Sequence, residues 1–155
     1  MVQSGNLRNS LYRLIQIKAA RARPGEKRRS RWGKKKPMIF IVDDDEGVRD
    51  SLRLLLECEG FEAREFASCP EFLEAGPAGS GDCLILDVHV AGMSGLELLE
   101  VIRARGETLP VIVISRRTDA ATRNRAHAAG ALAVIEKPYQ AEEVVALARR
   151  ALAGG

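Results

Sequence analysis

Four acidic residues in a row, Asp43-Asp44-Asp45-Glu46, stand directly after an apolar run, and a further acid, Asp87, ends another. Ser115 and Lys137 occupy the same kind of position, each at the polar end of an apolar stretch, and Pro138 follows the lysine. Carboxylates brought together repel one another, so a cluster of them persists where a hard cation sits among them. One or two carboxylates, a backbone carbonyl and retained waters suit Mg2+. A carboxylate beside Mg2+ can accept a phosphoryl group as a nucleophile, with the metal and a lysine ammonium neutralising the charge of the group in transfer. The same acids have a second use. Asp44, Asp45 or Glu46 can stabilise the start of a following helix by capping it and by meeting its dipole.

Which use holds depends on the elements that position these residues. From Met38 onward, apolar runs alternate with amphipathic stretches. Met38–Val42 reads as a buried strand. A helix from about Glu46 to Glu59 then buries Val48, Leu52, Leu55 and Leu56 and stops at Gly60. A short strand over Glu62–Phe66 leads to Ser68–Glu71, a capping-box start for a helix ending near Gly76, and to a Gly/Pro-rich loop, Gly76–Asp82. Cys83–Leu86 is the third strand, and Ser94 with Glu97 opens a helix running to Arg105. Pro110–Ile114 is the fourth strand, Asp119–Ala129 an Ala-rich helix, Ala133–Glu136 the fifth strand and Ala141–Leu152 the last helix. Five strand–helix units imply an α/β fold with a parallel sheet covered on both faces and every strand's C-terminal end on one edge. The expected arrangement is the flavodoxin-like, doubly wound (βα)5 sheet of order 2-1-3-4-5, in which strands one and three meet at the switch point. The acids after those strands are then neighbours, flanked by the Ser115 hydroxyl and the Lys137 ammonium.

The chain has 155 residues, about one domain's worth, with a net charge of +3 that averages two unlike parts. Residues 1–37 carry 12 Lys+Arg against one acid, Glu26, whereas residues 38–155 carry 12 Lys+Arg against 20 Asp+Glu. The expected organisation is therefore a basic arm, 1–37, ahead of an acidic domain, 38–155. Leu7, Leu11, Leu14 and Ile15 give the arm's first half a weak helical pattern. Its second half, PGEKRRSRWGKKKP, holds too little apolar surface to offset ordering, which predicts disorder. The arm is open to several readings: a tether for nucleic acid or an anionic membrane, a targeting peptide, or a solvated extension ahead of a start at Met38. No apolar run approaches the roughly 18 residues of a membrane span. Three cysteines, Cys58, Cys69 and Cys83, without paired spacing fit neither a disulfide scaffold nor a Cys-based zinc module, and a reducing, cytoplasmic compartment is expected. Cys58 and Cys83 are expected to be buried thiols.

Four stretches together resemble the receiver domain of bacterial two-component response regulators, the CheY-like family, in its FixJ-like branch. They are Ile41–Arg49 (IVDDDEGVR), Leu84–Gly95 (LILDVHVAGMSG), Pro110–Ser115 (PVIVIS) and Ala129–Tyr139 (AGALAVIEKPY). The resemblance spans Met38 to about Ala153. It implies that Asp87 is the phosphoacceptor, that Asp44 holds Mg2+ directly and Asp43 mostly through water, and that the backbone carbonyl of His89 completes the protein ligands. Ser115 would hydrogen-bond the arriving phosphoryl group and Lys137 would pair with it across a cis Lys137–Pro138 peptide. The phosphodonor would be the phosphohistidine of a sensor histidine kinase or phosphotransfer protein. The output would be contact with a downstream protein partner or a relay, with a homodimer through the Asp119–Leu152 face as a further expectation. ATP binding is not implied, and no Gly-rich phosphate loop is present.

The chain departs from the family pattern at three places. Val90-Ala91 stands where a Met-Pro pair is usual, Val134 where an aromatic residue is common, and Arg116 where a small residue usually follows the hydroxyl. Arg116 either crowds the phosphorylation site, slowing entry of donor or water, or points to solvent. Val134 puts a ring-swinging switch in doubt while leaving Ser115 free to move. The side chains of His89 and His127 are expected at the surface. The expected function is that of a single-domain response regulator, not an enzyme in the ordinary sense. Its rivals are a receiver-like interaction module not switched by phosphorylation, and nucleic-acid binding through residues 1–37.

Overall fold

Side-chain alternation in the strands sets up two layers of helix, one on each face of a sheet. The computed structural model describes residues 37–75 and 82–153. In chain order these form β1 (Met38–Val42), α1 (Glu46–Cys58), β2 (Glu62–Phe66), α2 (Cys69–Glu74), β3 (Cys83–Asp87), α3 (Gly95–Ala104), β4 (Val111–Ser115), α4 (Ala120–Ala128), β5 (Ala133–Glu136) and α5 (Ala141–Ala153). All neighbouring strands pair in parallel, in the order β2-β1-β3-β4-β5. The doubly wound, flavodoxin-like arrangement expected from the alternation is the one found.

Ile39, Ile41, Cys83, Ile85, Ile112 and Ile114 point to one face, where Leu52 and Leu56 of α1 and Val144, Ala148 and Leu152 of α5 cover them. Val42, Leu84, Leu86, Val111 and Val113 point to the other, beneath Phe72 of α2, Leu98, Leu99 and Ile102 of α3 and Ala126 of α4. The period of two in the strands and of three to four in the helices thus produces two cores from one sheet. Every residue of β3 and β4 is buried, so these central strands form a rigid platform.

Caps fix where the helices begin. Of the acids left open for capping α1, Asp45 takes the role, its side chain accepting from the Val48 N–H at 3.1 Å. Ser94 and Glu97 make the full reciprocal capping box at α3. At α2 only half of the expected box forms: Ser68 accepts from Glu71 N–H, while the Glu71 carboxylate reaches back one residue further, to Ala67 N–H. That helix ends at Glu74, short of the expected Gly76.

The fourth strand runs one residue later than expected, Val111–Ser115 rather than Pro110–Ile114. Pro110 has no N–H for the ladder, while Ser115 O still accepts from Lys137 N–H at 2.8 Å. The basic arm expected over 1–37, apart from Pro37, and most of the Gly76–Asp82 loop lie outside the described residues. Asp82 itself is buried and accepts from Met38 N–H at 3.0 Å, tying the starts of β1 and β3 together. Among the described residues no helix is long and apolar enough to cross a membrane. Charge is unevenly spread: residues 38–75 carry eleven Asp+Glu and three Lys+Arg, whereas residues 82–153 carry nine of each.

Candidate functional site

Register brings the separated residues to one place. Val42 lies level with Leu86, Asp87 with Ile114, and Ser115 with Glu136. Asp43, Asp87, Ser115 and Lys137 therefore emerge at the same C-terminal edge. The chain leaves β1 toward β2 on one side and returns to β3 on the other, which opens a crevice between the two connections. Both acid-bearing strand ends border that crevice.

One carboxylate oxygen from each of Asp43, Asp44 and Asp87 lies within 4.8 Å of the others. Asp43 and Asp87 are buried and Asp44 is exposed. Lys137 Nζ donates to Asp87 Oδ2 at 3.1 Å and to Asp43 Oδ2 at 3.5 Å. The remaining oxygen of each buried acid is tied to backbone two residues on: Asp87 Oδ1 accepts from His89 N–H at 3.1 Å and Asp43 Oδ1 from Asp45 N–H at 2.9 Å. Burial, reinforced by the neighbouring Asp87, pushes the Asp43 carboxyl up to about 6, against the opposing pull of Lys137. One ammonium thus pairs with two of the three carboxylates. The cluster offers only oxygen donors and opens to solvent through Asp44, a donor set suited to a hard, hydrated divalent cation.

Ser115 is fully buried at the end of β4, but its hydroxyl is engaged locally, donating to Arg117 O at 2.6 Å and accepting from Arg117 N–H at 3.1 Å. The Lys137–Pro138 peptide is cis. The imidazoles of His89 and His127 are exposed, as is Arg116. Cys83 is buried as expected, but Cys58, near the end of α1, is only half-buried because it lies beside rather than on the Leu52–Leu55–Leu56 stripe. Burial raises the thiols of Cys69 and Cys83 to about 11 and about 12, away from nucleophilic thiolates. Tyr139, next to Pro138, is also buried, and its hydroxyl has no hydrogen-bond partner; burial, then Asp43 and Asp87, raise its pKa.

One residue at this edge carries no role in the sequence reading. Arg49 Nη1, from the first turn of α1, donates to the Asp43 carbonyl at 2.7 Å. The available signal was its position: Arg49 falls on the helical stripe shared with Leu52 and Leu56, where a cation needs a partner.

The profile of the response regulator receiver domain family matches residues 39–149. The transcriptional regulatory protein FixJ of Azorhizobium caulinodans is 37% identical over 114 residues, covering 74% of this chain and 54% of that protein. This chain thus spans about half the length of that curated relative, and 51% of the next, TdiR of Thauera aromatica. Among solved structures, the response regulator StyR superposes with a TM-score of 0.72 at 36% identity, over 77% of this chain and 60% of that one. A CheY-like receiver domain protein from Methanospirillum hungatei gives 0.71 at 27% identity, over 77% and 96%. A family match across nearly the whole described fold, with the acids and the lysine gathered at its switch-point edge, leaves one conclusion: the chain belongs to the response regulator receiver domain family of two-component systems.

Proposed function

We propose that Asp87 accepts a phosphoryl group from the phosphohistidine of a sensor histidine kinase or phosphotransfer protein, and that Asp43, Asp44, Asp87 and the His89 carbonyl hold the Mg2+ this requires. The observation that carries the reading is the buried Asp87 carboxylate, in a three-acid cluster and 3.1 Å from Lys137 Nζ. In the transfer, a bond forms between an Asp87 oxygen and phosphorus while the bond from phosphorus to the donor imidazole nitrogen breaks; the leaving nitrogen takes a proton from water. The bound cation would neutralise charge on the transferring oxygens. Lys137 supplies a second positive charge and, with the His89 N–H, orients the Asp87 carboxylate.

Ser115 completes the switch by trading its hydrogen bond to Arg117 O for one to the new phosphoryl oxygen. Because that bond holds residues 115–117 in a tight turn, the exchange shifts the loop before α4, whose exposed Arg123 and His127 then present an altered face to a downstream protein or a second copy. The test is incubation with acetyl phosphate and Mg2+ followed by peptide mass mapping. A phosphoryl mass gain on Asp87, abolished in Asp87→Asn and by chelation, is expected. Wild-type protein that gains no acyl phosphate at saturating donor refutes the assignment.

A further inference from the structure

We propose that Arg49 is a positioning residue for the acidic pocket: clamped between the Asp43 carbonyl and Glu65, its guanidinium fixes the Asp43–Asp45 turn and so the spacing of the carboxylates. This rests on the pocket reading above.

Arg49 Nη1 donates to Asp43 O at 2.7 Å, a short bond from a charged donor to the very peptide that joins the first two acids. Within the same turn, Asp43 Oδ1 accepts from Asp45 N–H at 2.9 Å, and Asp45 in turn caps α1. The turn is thus held by two contacts on Asp43, one to its side chain from Asp45 N–H and one to its carbonyl from the Arg49 guanidinium. The Arg49 side chain is only 12% exposed, and its Nε has no hydrogen-bond partner; Glu65 Oε1 lies 3.9 Å away, an ion-pair distance. A buried donor is left short while Nη1 keeps the carbonyl, so the guanidinium is placed for the turn rather than for its acid. Glu65 is shared: its other oxygen accepts from Arg53 Nε at 3.2 Å, and Arg53 also pairs with Glu57. Arg53 therefore belongs to the same surface network but does not touch the turn, which makes it the natural control.

Charge and position make opposite demands. As a nearby cation, Arg49 repels a divalent ion, so removing its charge alone would tighten Mg2+ binding. As a clamp it preorganises the ligands, so removing it weakens binding, by about 10-fold or more where such supporting partners have been lost. Isothermal titration of Mg2+ into wild type, Arg49→Met, Arg49→Lys and Arg53→Met separates the two. Arg49→Met is expected to bind about 10-fold more weakly, Arg49→Lys to recover part of the loss, and Arg53→Met to stay within about twofold of wild type. Binding by Arg49→Met as tight as, or tighter than, wild type overturns the proposal. So does an equal loss in Arg53→Met.

Amide exchange of Asp45, measured by NMR on metal-free protein, reads the turn without any ion. It should accelerate in Arg49→Met and not in Arg53→Met, and equal rates in the two overturn the clamp. If wild type binds no Mg2+, the pocket reading fails, and this exchange comparison alone decides the positioning role. If Arg49→Met does not fold, Arg49→Lys decides: weaker Mg2+ binding with faster Asp45 exchange supports the clamp, and wild-type values for both refute it.

Discussion

At the residue scale, the role proposed for Asp43 and its surroundings pull apart, since holding a cation would require the ionised carboxylate while burial beside Asp87 favours the proton. Its carboxyl is raised from 3.8 to about 6. Because the folded value lies above the unfolded one, the fold holds this proton more tightly than the open chain does, and stability is lost as the pH rises from about 4 through 6. In metal-free protein, Asp43→Asn should therefore raise the unfolding free energy at pH 7 by about 1–3 kcal/mol. The gain should shrink toward pH 4, where the wild-type carboxyl is already protonated in the fold. Urea unfolding with chelator at both pH values checks this; a destabilised variant, or a gain independent of pH, contradicts it. Adding Mg2+ should favour wild type instead, through the carboxylate charge that Asn lacks. Asp43, Asp87 and Lys137 were legible in the sequence because each sits where an apolar run stops, and strand alternation alone brings those stops together. Arg49 was not, because its role depends on a long side chain reaching back to a backbone carbonyl. Nor was the local turn of Ser115 onto Arg117, which depends on how the chain leaves β4.

At the scale of elements, the site depends on how closely α3 meets the end of β3. Gly95, the first residue of α3, donates to Val88 O at 3.0 Å, and a Cβ built on it would lie 2.2 Å from the Asp87 carbonyl oxygen. That neighbour is backbone on a fully buried strand and has nowhere to go. Gly95→Ala should cost about 1–3 kcal/mol of stability by overpacking. It should also slow phosphoryl acceptance, because relief comes by shifting the peptide that carries Asp87. Unfolding midpoints and acetyl phosphate labelling rates test both parts, and a variant with wild-type stability refutes the close approach. Further from the site, Arg103 of α3 donates to the carbonyls of Glu107, Leu109 and Gly130, joining the loops before β4 and β5. Helix and strand identities were readable from periodicity and caps. Ties such as this one, or Asp82 to Met38 across 44 residues, were not, since nothing local in the sequence marks them.

The whole described domain carries its charge unevenly. Residues 38–75, which form β1, α1, β2 and α2, hold the excess of eleven acids over three bases, while the remainder is balanced and contributes exposed Arg116 and Arg117 beside the end of β4. A composition total hides this; the strand order reveals it, because β2 and β1 lie together on one flank. Removing the two arginines, as Arg116→Gln with Arg117→Gln, should lower the second-order rate constant for labelling by acetyl phosphate about three- to tenfold at low ionic strength. The difference should close toward wild type near about 0.5 M salt. Rates unaffected at low salt, or a defect that salt does not narrow, rule out steering. The crevice lies where β1 meets β3, on the boundary between the acidic flank and the balanced one. On the proposed function, the acidic flank favours the approach of the divalent cation, and Arg116 and Arg117 that of the phosphorylated donor, so that two species of opposite charge can share one crevice.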